Sequence, residues 1–346
     1  MRQVEDSYAE KLTHSSNPLH EMVPVVLKKK IKDVLNVETQ NEIIAALDNV
    51  KLQSFTWGQL LLDNFEVVGA GSFSSVIRTQ LTQSSEFIVN GQRKTVKSIS
   101  EVAVKLLKFN KRDEAARSLA KRMITTEAKK ISLAEKLVTT PENMIHVYGI
   151  VGAGAVKDDT CKYQKFNETF SVNDDTDYLG IIMSYESGGN LDDLIHPNLG
   201  SVRSPLSLGE KLRILRSIIK IVAELHHVGI VHGDLKPANI LLTSGNPPVV
   251  RVSDFGLARL RNFQSEIGRQ LDQDTLVHRG TPIYSAPEKL LNFLGNLTGF
   301  IEPTYEFDIY AFAILAWVFT YSLTHSLTHS LTHSLIGGAS KSEALQ

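Results

Sequence analysis

Cysteine is almost absent from this chain of 346 residues, since Cys161 is the only one. A single cysteine excludes an internal disulfide, and a chain without disulfides is typical of a reducing compartment. An excess of charge of one sign is also lacking, because 37 basic and 38 acidic side chains leave a formal net charge of -1. That balance gives no electrostatic reason to expect nucleic acid or an anionic membrane as a partner. We therefore expect a cytoplasmic protein that does not bind nucleic acid.

Long apolar runs are missing too. The best candidate for a membrane span, residues 309–319, has about half of the ~20 residues that a spanning helix needs. The first six residues, MRQVED, are too polar and acidic for a secretory signal peptide. The sequence therefore predicts no membrane span, and its hydrophobic content of 42% is that of an ordinary globular protein.

The first 55 residues carry no recognisable chemistry. Residues 1–20 are polar and predict a flexible lead, whereas the pattern over residues 23–50 is helical. Thr39 and Glu42 have the spacing of a capping box at a helix N-terminus. We interpret residues 1–55 as an N-terminal extension with short helices.

The octapeptide HGDLKPAN, from His232 to Asn239, has the highest concentration of side chains that could act in catalysis. Catalysis of phosphoryl transfer depends on positioning and electrostatic stabilisation more than on covalent chemistry by the protein. The Asp234 carboxylate can orient an attacking hydroxyl, and Lys236 can neutralise the transferring group. The Asn239 amide can ligate a hard cation through its oxygen. This spacing of acid, base and amide favours phosphoryl transfer.

A glycine turn and a lysine-bearing strand precede that octapeptide. Residues 65–76 predict a strand, a turn and a strand, in which Gly69 and Gly71 let the backbone approach phosphate oxygens; a plain hairpin turn is the alternative. Lys105 follows in an apolar strand, where a lysine is costly without an anionic partner. The alternative is an edge-strand lysine that reaches solvent.

A helical pattern over residues 113–137 offers carboxylates to Lys105. The candidates are Glu114, Glu127 and Glu135. Periodicity places Glu127 on the core side of this helix, and it also leaves Glu135 open. Glu135, however, lies close to Thr140-Pro141, where the helix must end, so we favour Glu127.

Two polar stretches interrupt the strands. Residues 79–100 contain Asn90-Gly91, a dipeptide typical of two-residue turns, and predict an inserted hairpin. Residues 152–177 are polar and rich in aspartate, and we interpret them as a surface loop between strands.

In this order the motifs resemble those of the eukaryotic protein kinases. The glycine turn, the Val-Ala-Val-Lys strand and the octapeptide are followed by Asp-Phe-Gly at 254–256 and Ala-Pro-Glu at 286–288. The resemblance covers residues 62–321. It implies an α+β, bilobal protein-kinase-like fold, with an antiparallel β N-lobe that carries the helix called αC and a mainly helical C-lobe that lacks the helices after αF. The implied parts are an N-lobe at 62–183, a hinge at 184–190, a partial C-lobe at 191–321 and a low-complexity tail at 322–346.

The resemblance also implies roles for individual residues. Asp234 and Lys236 would act in catalysis, with Lys105 held by Glu127. Asn239 and Asp254 would hold Mg²⁺ on ATP. His232 would pack beneath the catalytic loop. The implied nucleotide contacts are Val68, Gly69, Gly71, Val76, Ala103, Lys105, the gatekeeper Met183, Tyr185, Glu186 and Leu241.

Two positions depart from the family's pattern. Ser74 stands where the glycine loop usually has its third glycine, and Gly233 replaces the arginine of the catalytic loop. That arginine commonly pairs with a phosphate on the activation loop, so phosphorylation there is not expected to switch this protein in the common way. Ser265 and Thr275 are candidate phosphosites, or equally solvent-facing hydroxyls.

Specificity is indicated by Lys236 and by the Gly-Thr-Pro-Ile-Tyr segment at 280–284, both of which resemble serine/threonine-directed kinases. The H-G-D loop and the Ser-Gly-Gly-Asn-Leu hinge resemble the tyrosine-kinase-like branch, close to Pelle and the interleukin-receptor-associated kinases. The implied function is transfer of the γ-phosphoryl of Mg-ATP to protein serine and threonine hydroxyls in intracellular signalling. Protein substrates and signalling adaptors are the implied partners. The alternative is a catalytically weak, nucleotide-binding scaffold.

The C-terminal part of the sequence differs more strongly from the protein kinase pattern. Residues 308–317 resemble the buried αF helix, whose Asp308 would brace the catalytic loop, but Glu288 has no evident partner. After Tyr321 the tetrapeptide Ser-Leu-Thr-His occurs three times. Because a TCAC nucleotide repeat encodes it, we hypothesise microsatellite read-through or a gene-model error. A metal-binding tract is the alternative, with the histidines at i, i+4 and i+8. They are His325, His329 and His333.

Overall fold

The computed structural model describes residues 45–70, 74–89, 92–152, 163–173, 175–196, 206–255, 259–260, 282–289 and 304–321. The chain divides into two compact units, residues 1–45 and 46–346. The predictions for the N-terminal extension before residue 45, for Gly71, for the phosphosites Ser265 and Thr275, and for the tail after Tyr321 lie outside the described residues. Within the described part of the chain, every helix is too short or too polar to cross a membrane.

A six-stranded sheet forms the first lobe, in the order β1-β5-β6-β4-β3-β2. The β1–β5 pair is parallel and the other pairs are antiparallel. The strands are β1 Gln53–Phe55, β2 Glu66–Ala70, β3 Ser74–Val89, β4 Gln92–Asn110, β5 Val147–Val151 and β6 Thr176–Ser184.

Strands β3 and β4 form the long hairpin that the sequence predicts. Their register runs without a break from Ser74 opposite Leu107 to Val89 opposite Gln92. The two turn residues between them lie outside the described part. At the base of the hairpin, Arg78 on β3 forms ion pairs with Glu66 on β2 and Glu101 on β4.

The sheet extends ahead of residue 62, where the sequence places the start of the N-lobe. Phe55, Trp57 and Leu60 are buried in its core. Strand β1 approaches β5 so closely that a Cβ at Gly149 would overlap the carbonyl oxygen of Gln53. Only glycine permits this approach, and β1 therefore belongs to the sheet rather than to the predicted extension of residues 1–55.

The interpretation of residues 152–177 as a loop is wrong for part of the segment. Residues Gln164–Phe170 form helix α2. Phe166 on this helix is fully buried, and its ring lies 5.8 Å from those of Trp57 and Phe65. The cause is an apolar face inside a polar sequence, because Tyr163, Phe166 and Phe170 recur at helical spacing and bury large aromatic surfaces.

Helix α1, Glu114–Leu137, packs against the sheet. Its N-cap residue is Asp113. The Asp113 side chain accepts a hydrogen bond from the Ala116 amide at 3.0 Å and so satisfies one of the unpaired amides of the first turn. Its buried face comprises Ala120, Ile124, Ala128, Ile131, Leu133 and Ala134.

The second lobe contains helices α3 to α5 and two short strand pairs, β7 with β10 and β8 with β9, so the architecture is the predicted α+β fold with two lobes. Helix α4 begins with a capping box between Ser207 and Glu210. Buried Glu224 on α4 accepts hydrogen bonds from the amides of Thr139 and Thr140, which follow α1. The elements are α3 Leu191–Ile195, α4 Leu208–His227, β7 Ile230–Val231, β8 Ile240–Leu242, β9 Val250–Val252, β10 Arg259–Leu260 and α5 at 305–321.

Candidate active site

Lys105 on β4 is held by two carboxylates. Its Nζ lies 2.8 Å from Oε1 of Glu127 on α1 and 2.9 Å from Oδ1 of Asp254, which follows β9. Of the three candidate glutamates, the structure brings Glu127 to the lysine. The other two contact different partners, since Glu135 lies 2.7 Å from His146 and Glu114 lies 3.8 Å from Arg117.

The environment of Lys105 keeps its ammonium charged. The side chain is only 15% exposed, and burial by itself lowers the pKa of this lysine. The Glu127 and Asp254 carboxylates outweigh burial, so the pKa is raised above its ordinary value. The cation is therefore fixed at the junction of the lobes, where it can meet phosphate oxygens.

The catalytic loop is braced from beneath by Asp308 on α5. Its carboxylate accepts hydrogen bonds from the amides of His232 and Gly233, both at 2.8 Å, and from His226 Nε2 at 2.8 Å. This confirms the predicted brace. Burial raises the pKa of Asp308, but the His226 bond and its other partners outweigh it and hold the pKa below its usual range.

His232 has a packing role, as the resemblance implies. It is fully buried, and its Nδ1 accepts a hydrogen bond from the Asp234 amide at 3.3 Å. This leaves Nε2 as the donor to the carbonyl oxygen of Ser253, at 2.9 Å. The ring packs edge-on against Phe255. His232 thus fixes the catalytic loop to the end of β9.

Asp234, Lys236 and Asn239 are neighbours in space. Lys236 Nζ lies 2.9 Å from Asp234 Oδ2. Asn239 is buried, and its Nδ2 donates to the backbone carbonyl of Asp234 at 2.7 Å and more weakly to its Oδ2 at 3.3 Å. The side chains around the candidate base are therefore oriented by one another.

Asn239 and Asp254 fit a magnesium ion by the chemistry of their donor atoms. Pairing of β8 with β9, continued by the bond from the Ser253 amide to the Asn239 carbonyl at 3.0 Å, brings the two residues to adjacent positions. Because Asn239 Nδ2 is bound to Asp234, its Oδ1 is left as an acceptor. No group of three or more histidine, cysteine or acidic side chains suits a metal in the described residues. Mg²⁺ commonly takes one or two protein ligands and completes its shell with phosphates and water.

The predicted nucleotide contacts of the first lobe lie on neighbouring strands of its sheet. The register places Val76 opposite Lys105 and Ala103 opposite Met183. Gly69 pairs with Val76 across a bulge in β2, beside Val68. Leu241 on β8 bridges to Asn190, at the end of the hinge. These pairings bring the first-lobe residues onto adjoining strands and Leu241 next to the end of the hinge, and their contact with a nucleotide stays a prediction.

The side chains of the predicted hinge contacts bind protein groups. Glu186 accepts a hydrogen bond from Ser184 Oγ at 3.0 Å and forms an ion pair with Arg251 Nε at 2.8 Å. The ring of Tyr185 lies under the Arg78 guanidinium, 4.8 Å away. The resemblance implies that the backbone of these two residues meets the adenine, and these side-chain contacts leave that backbone role open. Sequence reasoning missed Arg251, whose strand gives no signal of the long-range pairing.

Sequence reasoning also gave no role to Lys289, which follows the Ala-Pro-Glu segment. Its Nζ donates to the Gly233 carbonyl at 3.1 Å. The one signal is its place directly after Ala-Pro-Glu.

The fold and the site together define the class of two-lobed, protein-kinase-like structures. A family model described as protein kinase domain matches residues 62–331. The chain therefore belongs to the protein kinase domain family.

Its relatives include serine/threonine kinases. Human receptor-interacting serine/threonine-protein kinase 1 is 34% identical over 143 residues, which are 40% of this chain and 19% of that protein. Probable serine/threonine-protein kinase gdt2 of Dictyostelium discoideum is 36% identical over 141 residues, 40% of this chain and 7% of that protein. Mitogen-activated protein kinase kinase 7 of Arabidopsis thaliana is 32% identical over 137 residues, 40% of this chain and 38% of that protein. The chain thus spans less than two fifths of the length of each of these relatives.

Proposed function

We propose that this chain is a serine/threonine protein kinase that transfers the γ-phosphoryl of ATP to protein hydroxyls. The observation that carries the proposal is the ion-paired Lys105, joined to Glu127 of the first lobe and Asp254 of the second. That arrangement sets a permanent positive charge beside a candidate metal ligand, as phosphoryl transfer requires.

Each residue of the site has a defined task. Lys105 binds phosphate oxygens, and Glu127 keeps its side chain in place. Asp234 accepts the proton of the attacking hydroxyl, and Lys236 lies beside it to neutralise the transferring group. Asn239 and Asp254 hold Mg²⁺, which neutralises charge on the phosphates when it is bound. Val68, Val76, Ala103 and Leu241 supply apolar contacts to the adenine.

The finer assignments rest on the sequence. Lys236 and the segment 280–284 support serine and threonine as acceptors, as do the names of the relatives. The H-G-D loop supports the tyrosine-kinase-like branch. We propose a cytoplasmic signalling role with protein substrates and adaptors.

A second candidate function is a nucleotide-binding scaffold with little turnover. Two observations favour it, namely Ser74 at the third glycine position of the loop and Gly233 at the arginine position. A hydroxyl at the third glycine position and a catalytic loop without an arginine at residue 233 would both weaken transfer.

Phosphate incorporation into a generic protein substrate tests the two candidates. The kinase predicts incorporation into serine and threonine by the full chain, and its loss in Asp234→Asn, which keeps the size of the side chain. Thermal stabilisation by Mg-ATP in both proteins, with no incorporation by either, would overturn the kinase and support the scaffold.

A further inference from the structure

Lys289 lies beside a small pocket next to the catalytic loop. The pocket is formed by the loop, by residues 284–289 and by α5, and Asp234, Tyr284 and Asp308 are among its lining residues. Lys289 Nζ donates to the carbonyl oxygen of Gly233 at 3.1 Å. A lysine that comes from outside the catalytic loop therefore contacts the residue directly before the proposed base.

Gly233 is held at both of its backbone polar groups. Its amide donates to Asp308 Oδ1 at 2.8 Å, and its carbonyl accepts from Lys289. The residue has a φ of 79, in the left-handed region that favours glycine. Because glycine is the most flexible residue, a glycine next to a catalytic carboxylate leaves that carboxylate free to move unless the backbone is fixed from outside.

The surroundings of Lys289 suit a cation that is bound rather than solvated. Burial lowers the pKa of this lysine, while the Asp234 and Asp308 carboxylates oppose that effect and Lys236 adds to it. Asp308 thus binds the Gly233 amide and also lies near the Lys289 ammonium. A buried ammonium is costly unless it is hydrogen-bonded and near opposite charge, and Lys289 has both.

We propose that Lys289 is a positioning residue that fixes the catalytic loop through the Gly233 carbonyl and so keeps the Asp234 carboxylate in place. It supplies from the Ala-Pro-Glu segment a cation that the loop itself lacks at residue 233. Lys289 does not touch the reacting atoms. The inference rests on the proposed kinase function for its effect on turnover, but not for its effect on the loop.

The test compares three variants of the full chain with the wild type. Lys289→Met keeps the length of the side chain and removes the charge, and Lys289→Arg keeps the charge. Lys121→Met, at an exposed position of α1, is the control. We expect kcat of Lys289→Met to fall about 10- to 100-fold, as for loss of one hydrogen bond from a charged group. The KM for ATP should change less than about twofold, because Lys105 and the hinge are untouched. Lys289→Arg should recover most of kcat.

Hydrogen exchange at the amides of Gly233 and Asp234 gives a readout that needs no turnover. We expect exchange in Lys289→Met to be about tenfold faster at these two amides and unchanged in α4 and α5. Lys121→Met should match the wild type at every amide.

The outcomes separate this inference from the proposed function. Wild-type kcat in Lys289→Met, or exchange that accelerates equally across the second lobe, would overturn the positioning role. If the wild type itself shows no turnover, the kinase proposal fails, and exchange alone decides about Lys289. Unchanged exchange at Gly233 would then refute the brace, and faster exchange confined to the loop would uphold it.

Discussion

Two buried lysines in this chain are held in opposite ways. Lys105 at the lobe junction is bound by two carboxylates, and its pKa is raised because they outweigh burial. Lys211 on α4 donates to the carbonyl oxygen of Phe319 at 2.8 Å and lies over that ring, and burial lowers its pKa. The first lysine is a fixed charge that can bind phosphate. The second caps the C-terminal end of α5, so it has a structural role.

The largest effect is expected for Lys105→Met. Phosphoryl transfer should fall about 100-fold or more, because a preorganised charge at the phosphates is lost. The free energy of unfolding should also fall by about 2–4 kcal/mol, since two carboxylates at the lobe junction lose their cation. Steady-state kinetics and urea unfolding measure the two effects. Full activity in this variant would contradict the proposal that Lys105 binds the phosphates.

Phe166→Ala separates loss of stability from loss of chemistry. This fully buried ring on α2 packs with Trp57, Phe65 and Phe170, and its removal should cost about 3–5 kcal/mol. At a temperature where the variant stays folded, kcat should remain close to wild type, in contrast to Lys105→Met. An unfolding free energy equal to that of the wild type would show that α2 does not belong to the core.

Lys211→Met tests whether Lys211 has only a structural role, in contrast to Lys105. We expect a loss of about 1–3 kcal/mol in unfolding free energy, because the Phe319 carbonyl loses its buried donor. The KM for ATP should not change. If Lys211→Met abolishes phosphoryl transfer but leaves the melting temperature unchanged, the structural role assigned to Lys211 is wrong.

The smallest effect concerns His146, at the surface side of the first lobe. Its hydrogen bond with Glu135 raises the pKa of the imidazole, while burial and Arg251 oppose that effect. Because the folded pKa lies above the unfolded value, the pair stabilises fully below about pH 6.5, and this contribution disappears as the pH rises through the folded pKa. The half-exposed pair contributes less than about 1 kcal/mol.

Unfolding of His146→Gln and of the wild type at pH 5.5 and pH 8.5 checks the sign. The variant should be less stable than the wild type at the lower pH and nearly equal to it at the higher pH. A larger difference at the higher pH would contradict the assignment.

Local motifs predicted the residues to which we assign the chemistry. Residue type and spacing pointed to Asp234, Lys236 and Asn239 and to a partnered Lys105, whereas the role proposed for Asp254 came from the family resemblance. The α+β fold came from the family resemblance, and the hairpin of β3 and β4 was predicted from its polar sequence and the turn dipeptide Asn90-Gly91.

The parts that could not be predicted depend on contacts between distant segments. Helix α2 was taken for a loop because its three aromatic residues are scattered among polar ones. Gly149 gives no local sign that β1 pairs beside it. The brace of Lys289 on Gly233 joins residues far apart in sequence, so no periodicity reveals it.

A crystal structure of the full chain with Mg²⁺ and a non-hydrolysable ATP analogue tests the central claim most directly. We expect Lys105 Nζ within hydrogen-bonding distance of phosphate oxygens, and the metal bound by Asn239 Oδ1 and the Asp254 carboxylate. A nucleotide bound elsewhere, or a metal that contacts neither Asn239 nor Asp254, would contradict it.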